Sequence, residues 1–153
     1  MGGSGKILVV DDDREVLDVV AEFLLAQGKE VLLADEGAGA LQIFRQERPP
    51  VAVIDYRMPK MDGLTLMKAI KSVSPQTEIL IVTGEADLRS VTEAVRQGAF
   101  DYLQKPLDLE ALGRRVDQAL EHYQLVSAKE ALLEELEQRV RARTAALDES
   151  QRR

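Results

Sequence analysis

Asp11, Asp12 and Asp13 stand directly after the apolar run Ile7-Leu8-Val9-Val10, and Asp55 directly after Val51-Ala52-Val53-Ile54. Thr83 follows Ile79-Leu80-Ile81-Val82, and Lys105-Pro106 comes one residue after Phe100-Asp101-Tyr102-Leu103. If these runs are strands of one parallel sheet, their carboxyl ends bring several carboxylates, a hydroxyl and an ammonium to one edge. Carboxylates ~5 Å apart repel by about 3 kcal/mol per pair at an effective dielectric near 20, so such a cluster needs cations. Lys105 supplies one charge, and a hard divalent ion on oxygen ligands supplies the rest. With no Cys in the chain and no His nearby, Mg²⁺ suits best. Carboxylates holding a metal beside an ammonium and a hydroxyl are equipped to clamp phosphoryl oxygens. The chemistry suggested is phosphoryl transfer, with a carboxylate as acceptor.

The elements that must position these groups are legible in the hydrophobic pattern. The first three runs, with Val31-Leu32-Leu33-Ala34, are apolar at every position and rich in β-branched residues, as expected of strands buried on both faces, and Phe100-Asp101-Tyr102-Leu103 is a weaker fifth. Helix-period stripes lie between them. Val16, Val19, Val20, Phe23 and Leu24 end at Gly28; Ala40, Leu41 and Phe44 end at Pro49-Pro50; Leu64, Met67 and Ile70 precede Pro75; Val91, Ala94 and Val95 precede Gly98. Five strands alternating with helices predict an α/β fold, a doubly wound parallel sheet with right-handed crossovers, whose functional site lies beyond the strand carboxyl ends. Spacing alone leaves the strand order open.

Composition narrows the class. The chain has 153 residues, 45% hydrophobic and 31% charged, enough for a packed core. Its net charge of −7 argues against binding nucleic acid or an anionic membrane by itself. The absence of cysteine excludes disulfides, zinc ribbons and thiol catalysis. No apolar run approaches the ~20 residues that span a bilayer, and residues 1–5 read as a flexible lead-in rather than a signal peptide. A soluble cytoplasmic protein is expected. All ten Gly and all five Pro fall before residue 123, and the stretch after it carries six basic and six acidic side chains. This contrast predicts a turn-rich domain over residues 6–122 and a continuous helix over 123–153.

Taken together, Val9-Val10-Asp11-Asp12, Asp55-Tyr56-Arg57-Met58-Pro59-Lys60-Met61-Asp62-Gly63, Val82-Thr83-Gly84 and Gly98-Ala99-Phe100-Asp101-Tyr102-Leu103-Gln104-Lys105-Pro106 resemble the receiver domain of bacterial two-component response regulators. The resemblance covers roughly residues 6–122, with each piece on the expected strand end. It implies a flavodoxin-like sheet of order 2-1-3-4-5 and Asp55 as the phosphoacceptor. It also implies Mg²⁺ held by Asp11, Asp12, Asp55 and the backbone carbonyl of Arg57. Thr83 and Lys105 would bind phosphoryl oxygens; Thr83 and Tyr102 would be the switch pair; and Lys105-Pro106 would be cis. The implied function is a phosphorylation-dependent switch. It accepts its phosphoryl group from a histidine kinase or phosphotransfer protein, and speeds its own phosphorylation and hydrolysis without acting on external substrates.

Simpler roles exist for several of these residues. Asp13 is the natural cap of the first helix, and Asp12 with Glu15 has capping-box spacing. Asp62-Gly63 reads as a turn and helix start. Thr83 taken singly is a turn hydroxyl, Lys105 a surface lysine and Tyr102 an ordinary aromatic. His122, the one histidine, reads as solvated surface. Arg57 and Glu85, each two residues past a site residue, are expected to rim the pocket and to pair across its mouth.

The last helix is expected to begin near Asp108 and to run without a stop. Leu112, Val116, Ala119, Tyr123 and Val126 form one apolar frame, and Leu133, Leu136, Val140, Arg143 and Leu147 form another, with a stutter-like shift between them. A helix this polar is marginal alone, so the tail predicts a homodimeric coiled coil. Leu136 to Leu147 resembles helices connecting receivers to output domains, and the expectation is a piece of a longer regulator whose output domain is absent. Three other assignments compete. Asp11-x-Asp13 with Thr83 and Lys105 partly imitates a haloacid-dehalogenase-type phosphatase, which would leave Asp55 without purpose. A flavodoxin-like electron carrier would need a phosphate loop after the first strand, and none is present. A purely structural dimerisation module would leave the acidic cluster unexplained.

Overall fold

In the computed structural model, which describes residues 5–151 apart from the side chains of Glu85 and Ser150, every expected run is a strand. The order along the chain is β1 (Lys6–Val10), α1 (Arg14–Ala26), β2 (Glu30–Ala34), α2 (Gly37–Glu47), β3 (Val51–Asp55), α3 (Gly63–Val73) and β4 (Glu78–Thr83). A 3₁₀ turn over Glu85–Asp87 then leads into α4 (Leu88–Arg96), β5 (Asp101–Gln104) and α5 (Leu109–Gln151). The five strands pair in parallel in the order β2-β1-β3-β4-β5, the flavodoxin-like arrangement.

This order follows from burial. β3 and β4 are buried at every position and take the interior of the sheet beside β1, whereas the partly exposed β2 and β5 form its edges. Alternate residues feed two cores. Leu8, Val10, Ala52, Ile54, Ile79 and Ile81 pack with Phe44, Leu66, Ile70 and Val91 from α2, α3 and α4. Ile7, Val9, Val51, Val53, Leu80 and Val82 pack with Leu17, Leu24, Leu112 and Val116 from α1 and α5. Each such fully buried aliphatic side chain contributes about 1.5–3 kcal/mol relative to exposure. The two layers therefore hold the strand ends rigidly in register.

Local chemistry sets the helix starts. Asp13 accepts from the Glu15 amide, Asp62 from Thr65 and Asp108 from Glu110, capping α1, α3 and α5. Gly113, in the second turn of α5, has a packing reason: a Cβ there would stand 3.0 Å from Gln27 Oε1 and 3.1 Å from Phe23 of α1.

One expectation about α5 is revised. Leu112, Val116 and Ala119 are fully buried against the sheet face, so the first three positions of that frame pack inside the domain rather than starting an intermolecular seam. The second frame is different, with Leu133 49%, Leu136 46%, Val140 63% and Leu147 56% exposed. The start of the first frame therefore packs inside the domain, while the second frame is exposed. The chain divides into two compact units, ending and beginning at Tyr123 and Gln124. Among the described residues no helix is long and apolar enough to cross a membrane.

Candidate functional site

Because β1 and β3 are neighbours, the residues that end them are too. Asp11, just past β1, is 3% exposed and Asp55, the last residue of β3, 6%. Carboxylate oxygens of Asp11, Asp12 and Asp55 lie within 4.8 Å of one another. Asp11 is fixed from two sides: its amide donates to the Ala34 carbonyl and its Oδ1 accepts from the Asp13 amide. Lys105 reaches in from the far side of β4, its amide donating to the Thr83 carbonyl at 2.7 Å across the strand ends. Its Nζ lies 3.3 Å from Asp55 Oδ1 and 3.4 Å from Asp11 Oδ2. The Lys105-Pro106 peptide is cis.

The electrostatics are those of crowded, half-desolvated charge. Burial, and then the neighbouring Asp11 carboxylate, push Asp55 up to about 6, with Lys105 partly offsetting both. Asp11 is also raised by burial, against the Asp13 amide and Lys105. Burial works to lower Lys105, but Asp55 and Asp11 overcome it, and its pKa is raised. One ammonium thus serves two carboxylates, and a third carboxylate, Asp12, stands exposed beside them. Three carboxylates with one cation retain an excess of negative charge, and their donors are all oxygen. The residues fit a hard divalent cation.

The loop after β3 is shaped to keep this edge open. A Cβ on Gly63 would stand 2.5 Å from the Asp55 carbonyl oxygen and 2.9 Å from Tyr56 Cα, so only glycine permits the loop to fold back there. The Gly63 amide donates to the Tyr56 carbonyl at 2.8 Å, closing the loop. Asp62 caps α3, as its turn-and-helix-start role requires.

Thr83 is fully buried at the end of β4, and its hydroxyl donates to the Gly84 carbonyl at 3.0 Å rather than to a carboxylate. Tyr102 is half-buried at the second position of β5, paired in register with Ile81, and packs on the α2–α3–α4 side core. The expected pairing of Arg57 with Glu85 lies outside what the structure describes, because it falls on the Glu85 side chain. The Arg57 guanidinium grips Asp87 through Nε to Oδ2 at 2.5 Å and Nη2 to Oδ1 at 2.8 Å. That arginine holds the Asp87 carboxyl below the usual carboxylate range. His122 likewise has more than solvent around it. Its Nδ1 meets the buried Glu78 carboxylate and its ring lies 5.7 Å from that of Phe100. Both partners escaped sequence reasoning. Asp87 had one available signal, its position just before the helix-period stretch of α4, which marks a cap but not an arginine partner.

The fold and this edge define a class. The family model described as the response regulator receiver domain matches residues 7–117, and the chain belongs to that family of phosphorylation-dependent signalling modules of two-component systems. Its relatives include the DNA-binding transcriptional regulator NtrC of Escherichia coli (strain K12), 39% identical over 120 residues, which are 78% of this chain and 26% of that protein. The chain thus spans about a quarter of the length of the curated relatives it matches. A receiver domain protein from Clostridium thermocellum superposes with a TM-score of 0.78 at 33% identity, over 80% of this chain and 98% of that one. An adenylate cyclase structure from Rhodopirellula baltica gives 0.81 at 32% identity, over 85% and 97%.

Proposed function

We propose that Asp55 is the phosphoacceptor of this receiver, that Asp11, Asp12, Asp55 and the Arg57 carbonyl hold Mg²⁺, and that Lys105 and Thr83 bind the phosphoryl oxygens. The observation that carries this reading is the position of Lys105 Nζ between Asp55 and Asp11, with Asp12 completing the cluster. When bound, the metal would neutralise charge that develops on the phosphoryl oxygens. The remaining work belongs to the chain. With a pKa of about 6, Asp55 is about nine-tenths ionised at pH 7, so a carboxylate oxygen attacks phosphorus while the bond to the donor breaks. From a phosphohistidine the imidazole leaves and takes up a proton. Hydrolysis then returns Asp55 to its carboxylate and releases inorganic phosphate, so the domain times its own signal and acts on no external substrate.

A histidine kinase or phosphotransfer protein is the proposed donor. An apolar groove of about 370 Å³ beside Lys105, lined by Val16, Val19, Pro106, Leu107 and Leu109, supports docking of a partner next to Asp55. Inward movement of Thr83, followed by Tyr102, would carry the change to the α4–β5–α5 face. The exposed Leu133, Leu136, Val140 and Leu147 support a homodimer through the tail of α5, and that helix would carry the signal of a cytoplasmic receiver over residues 6–122 toward an output domain. The whole chain's net charge of −7 argues against a direct hold on nucleic acid or an anionic membrane.

The test is intact mass after incubation with acetyl phosphate, with and without Mg²⁺, beside Asp55→Asn. A gain of one phosphoryl unit that requires both Mg²⁺ and Asp55 is expected. An adduct that survives Asp55→Asn would move the nucleophile to Asp11, as in a dehalogenase-type phosphatase. If neither an adduct nor beryllium fluoride binding is found, the fold signals without phosphorylation.

A further inference from the structure

Four of the α-helices begin just after an aspartate, and three of those aspartates cap. Asp13 and Asp62 sit in extended backbone, with ψ of 110° and 169°, and accept amides of the first turn; Asp108 accepts from Glu110 and Ala111. Asp87 precedes α4 but makes no cap bond, and its backbone is at φ −105°, ψ 9°, inside the 3₁₀ turn Glu85–Asp87. Its carboxylate is engaged by Arg57, whose side chain is 75% exposed while that of Asp87 is 11%. An aspartate is among the best N-caps available, with a preference for extended backbone. One carboxylate therefore has two competing uses, and it is committed to the use that leaves the α4 amides uncapped.

Arg57 also has two uses. It lies two residues from Asp55, and it lines, with Asp12 and Asp87, an open cleft of about 500 Å³ beside the acidic cluster. A phosphoryl group brings a charge near −2 and three strong acceptor oxygens, and a guanidinium binds phosphate, as it does a carboxylate, through paired bidentate contacts. On the reading that Asp55 is phosphorylated, the new anion and Asp87 compete for one arginine.

We propose that Asp87 is a two-position switch: Arg57 holds it off α4 in the unphosphorylated domain, and it swings onto the α4 amides when Arg57 turns to the phosphoryl group on Asp55. The swing requires ψ of Asp87 to move from near 0° to the extended region, which unwinds the Glu85–Asp87 turn. Phosphorylation is thereby converted into a change in the loop between β4 and α4. Arg57 is a positioning residue in this scheme, and it acts on α4 through Asp87.

The test is site-resolved amide exchange of Arg89 and Ser90, the second and third residues of α4, in the full 153-residue chain. Without any phosphoryl donor, Arg57→Gln frees Asp87 to cap and should slow exchange at these amides about threefold to tenfold. Asp87→Asn, which can cap but carries no charge for Arg57, should slow it as well, and Asp87→Ala should not. A merely structural salt bridge predicts the opposite sign, since removing it loosens the loop. Faster or unchanged exchange in both Arg57→Gln and Asp87→Asn overturns the switch. Acetyl phosphate and Mg²⁺ should slow the same amides in the wild-type chain and add nothing in Arg57→Gln. If a stoichiometric Asp55 adduct forms and those amides do not change, the exchange of partners is wrong although the phosphoacceptor reading stands. If neither an adduct nor beryllium fluoride binding is found, the phosphoacceptor reading fails and takes the exchange with it, a result that does not depend on the donor-free arms.

Discussion

Lys105 and Asp55 are joined by a 3.3 Å contact between Nζ and Oδ1, although they lie on different strand ends with β4 between them. The same ammonium is 3.4 Å from Asp11 Oδ2. It is the only cation contacting either carboxylate among the described residues, so the charge balance of the site depends on it. Lys105→Met should push Asp55 further above its already raised pKa and should reduce Mg²⁺-dependent phosphorylation by acetyl phosphate by about tenfold or more. Adduct formation followed by intact mass over time checks this. Lys105→Arg, which keeps the charge in a different shape, should recover part of the rate.

Asp55 gives the pH dependence. Its folded pKa of about 6 lies above the ordinary 3.8, so between these values the folded chain holds the proton more tightly than the unfolded chain. Stability contributed by this group is therefore present below about pH 4 and is lost as pH rises through about 6. At pH 7 Asp55→Asn should be more stable than the wild type by about 1–2 kcal/mol after allowance for solvent screening, and the gain should vanish at pH 4. Urea unfolding at the two pH values measures both.

Mg²⁺ should act on the same burden. If the cluster binds the cation, adding it at pH 7 raises the wild-type melting temperature, and Asp11→Asn or Asp12→Asn reduces the increment. Thermal scans with Mg²⁺ or with chelator provide the readout, and equal increments in all three proteins would remove the cluster as the binding site.

Gly63→Ala places a methyl 2.5 Å from the Asp55 carbonyl oxygen and 2.9 Å from Tyr56 Cα, both backbone atoms that cannot turn aside. A loss of about 2–3 kcal/mol is expected, together with slower phosphorylation, because the strand end that carries Asp55 must move. Thermal denaturation and the acetyl phosphate assay report the two effects separately.

The exposed stripe of the tail should drive self-association. Leu136→Lys with Val140→Lys removes two central apolar positions that are 46% and 63% exposed, and should convert a dimer into a monomer in sedimentation velocity. The domain over residues 6–122 should keep its melting temperature, since neither residue belongs to its cores.

How much of this was legible in the residues can be judged case by case. The chemistry was, because in a parallel sheet the residue ending a buried apolar run must sit at the carboxyl edge; Asp11, Asp55, Thr83 and Lys105 declared their places through the runs before them. The capping roles of Asp13 and Asp62 were legible too, since a cap depends on neighbours two or three residues on. Tertiary structure alone decided the rest. Strand spacing does not say that β1 lies beside β3, the adjacency that brings Asp11 to Asp55, and the order had to be inferred from resemblance. Nor does it say that Arg57 would take Asp87, 30 residues away, or that Glu78 would draw in His122. Such pairs depend on loop backbone and on which helix packs over which strand. The two frames of α5 show the same division: periodicity reveals an apolar stripe, but only the packed domain shows that Leu112, Val116 and Ala119 are buried in its core while Leu136 and Val140 stand exposed.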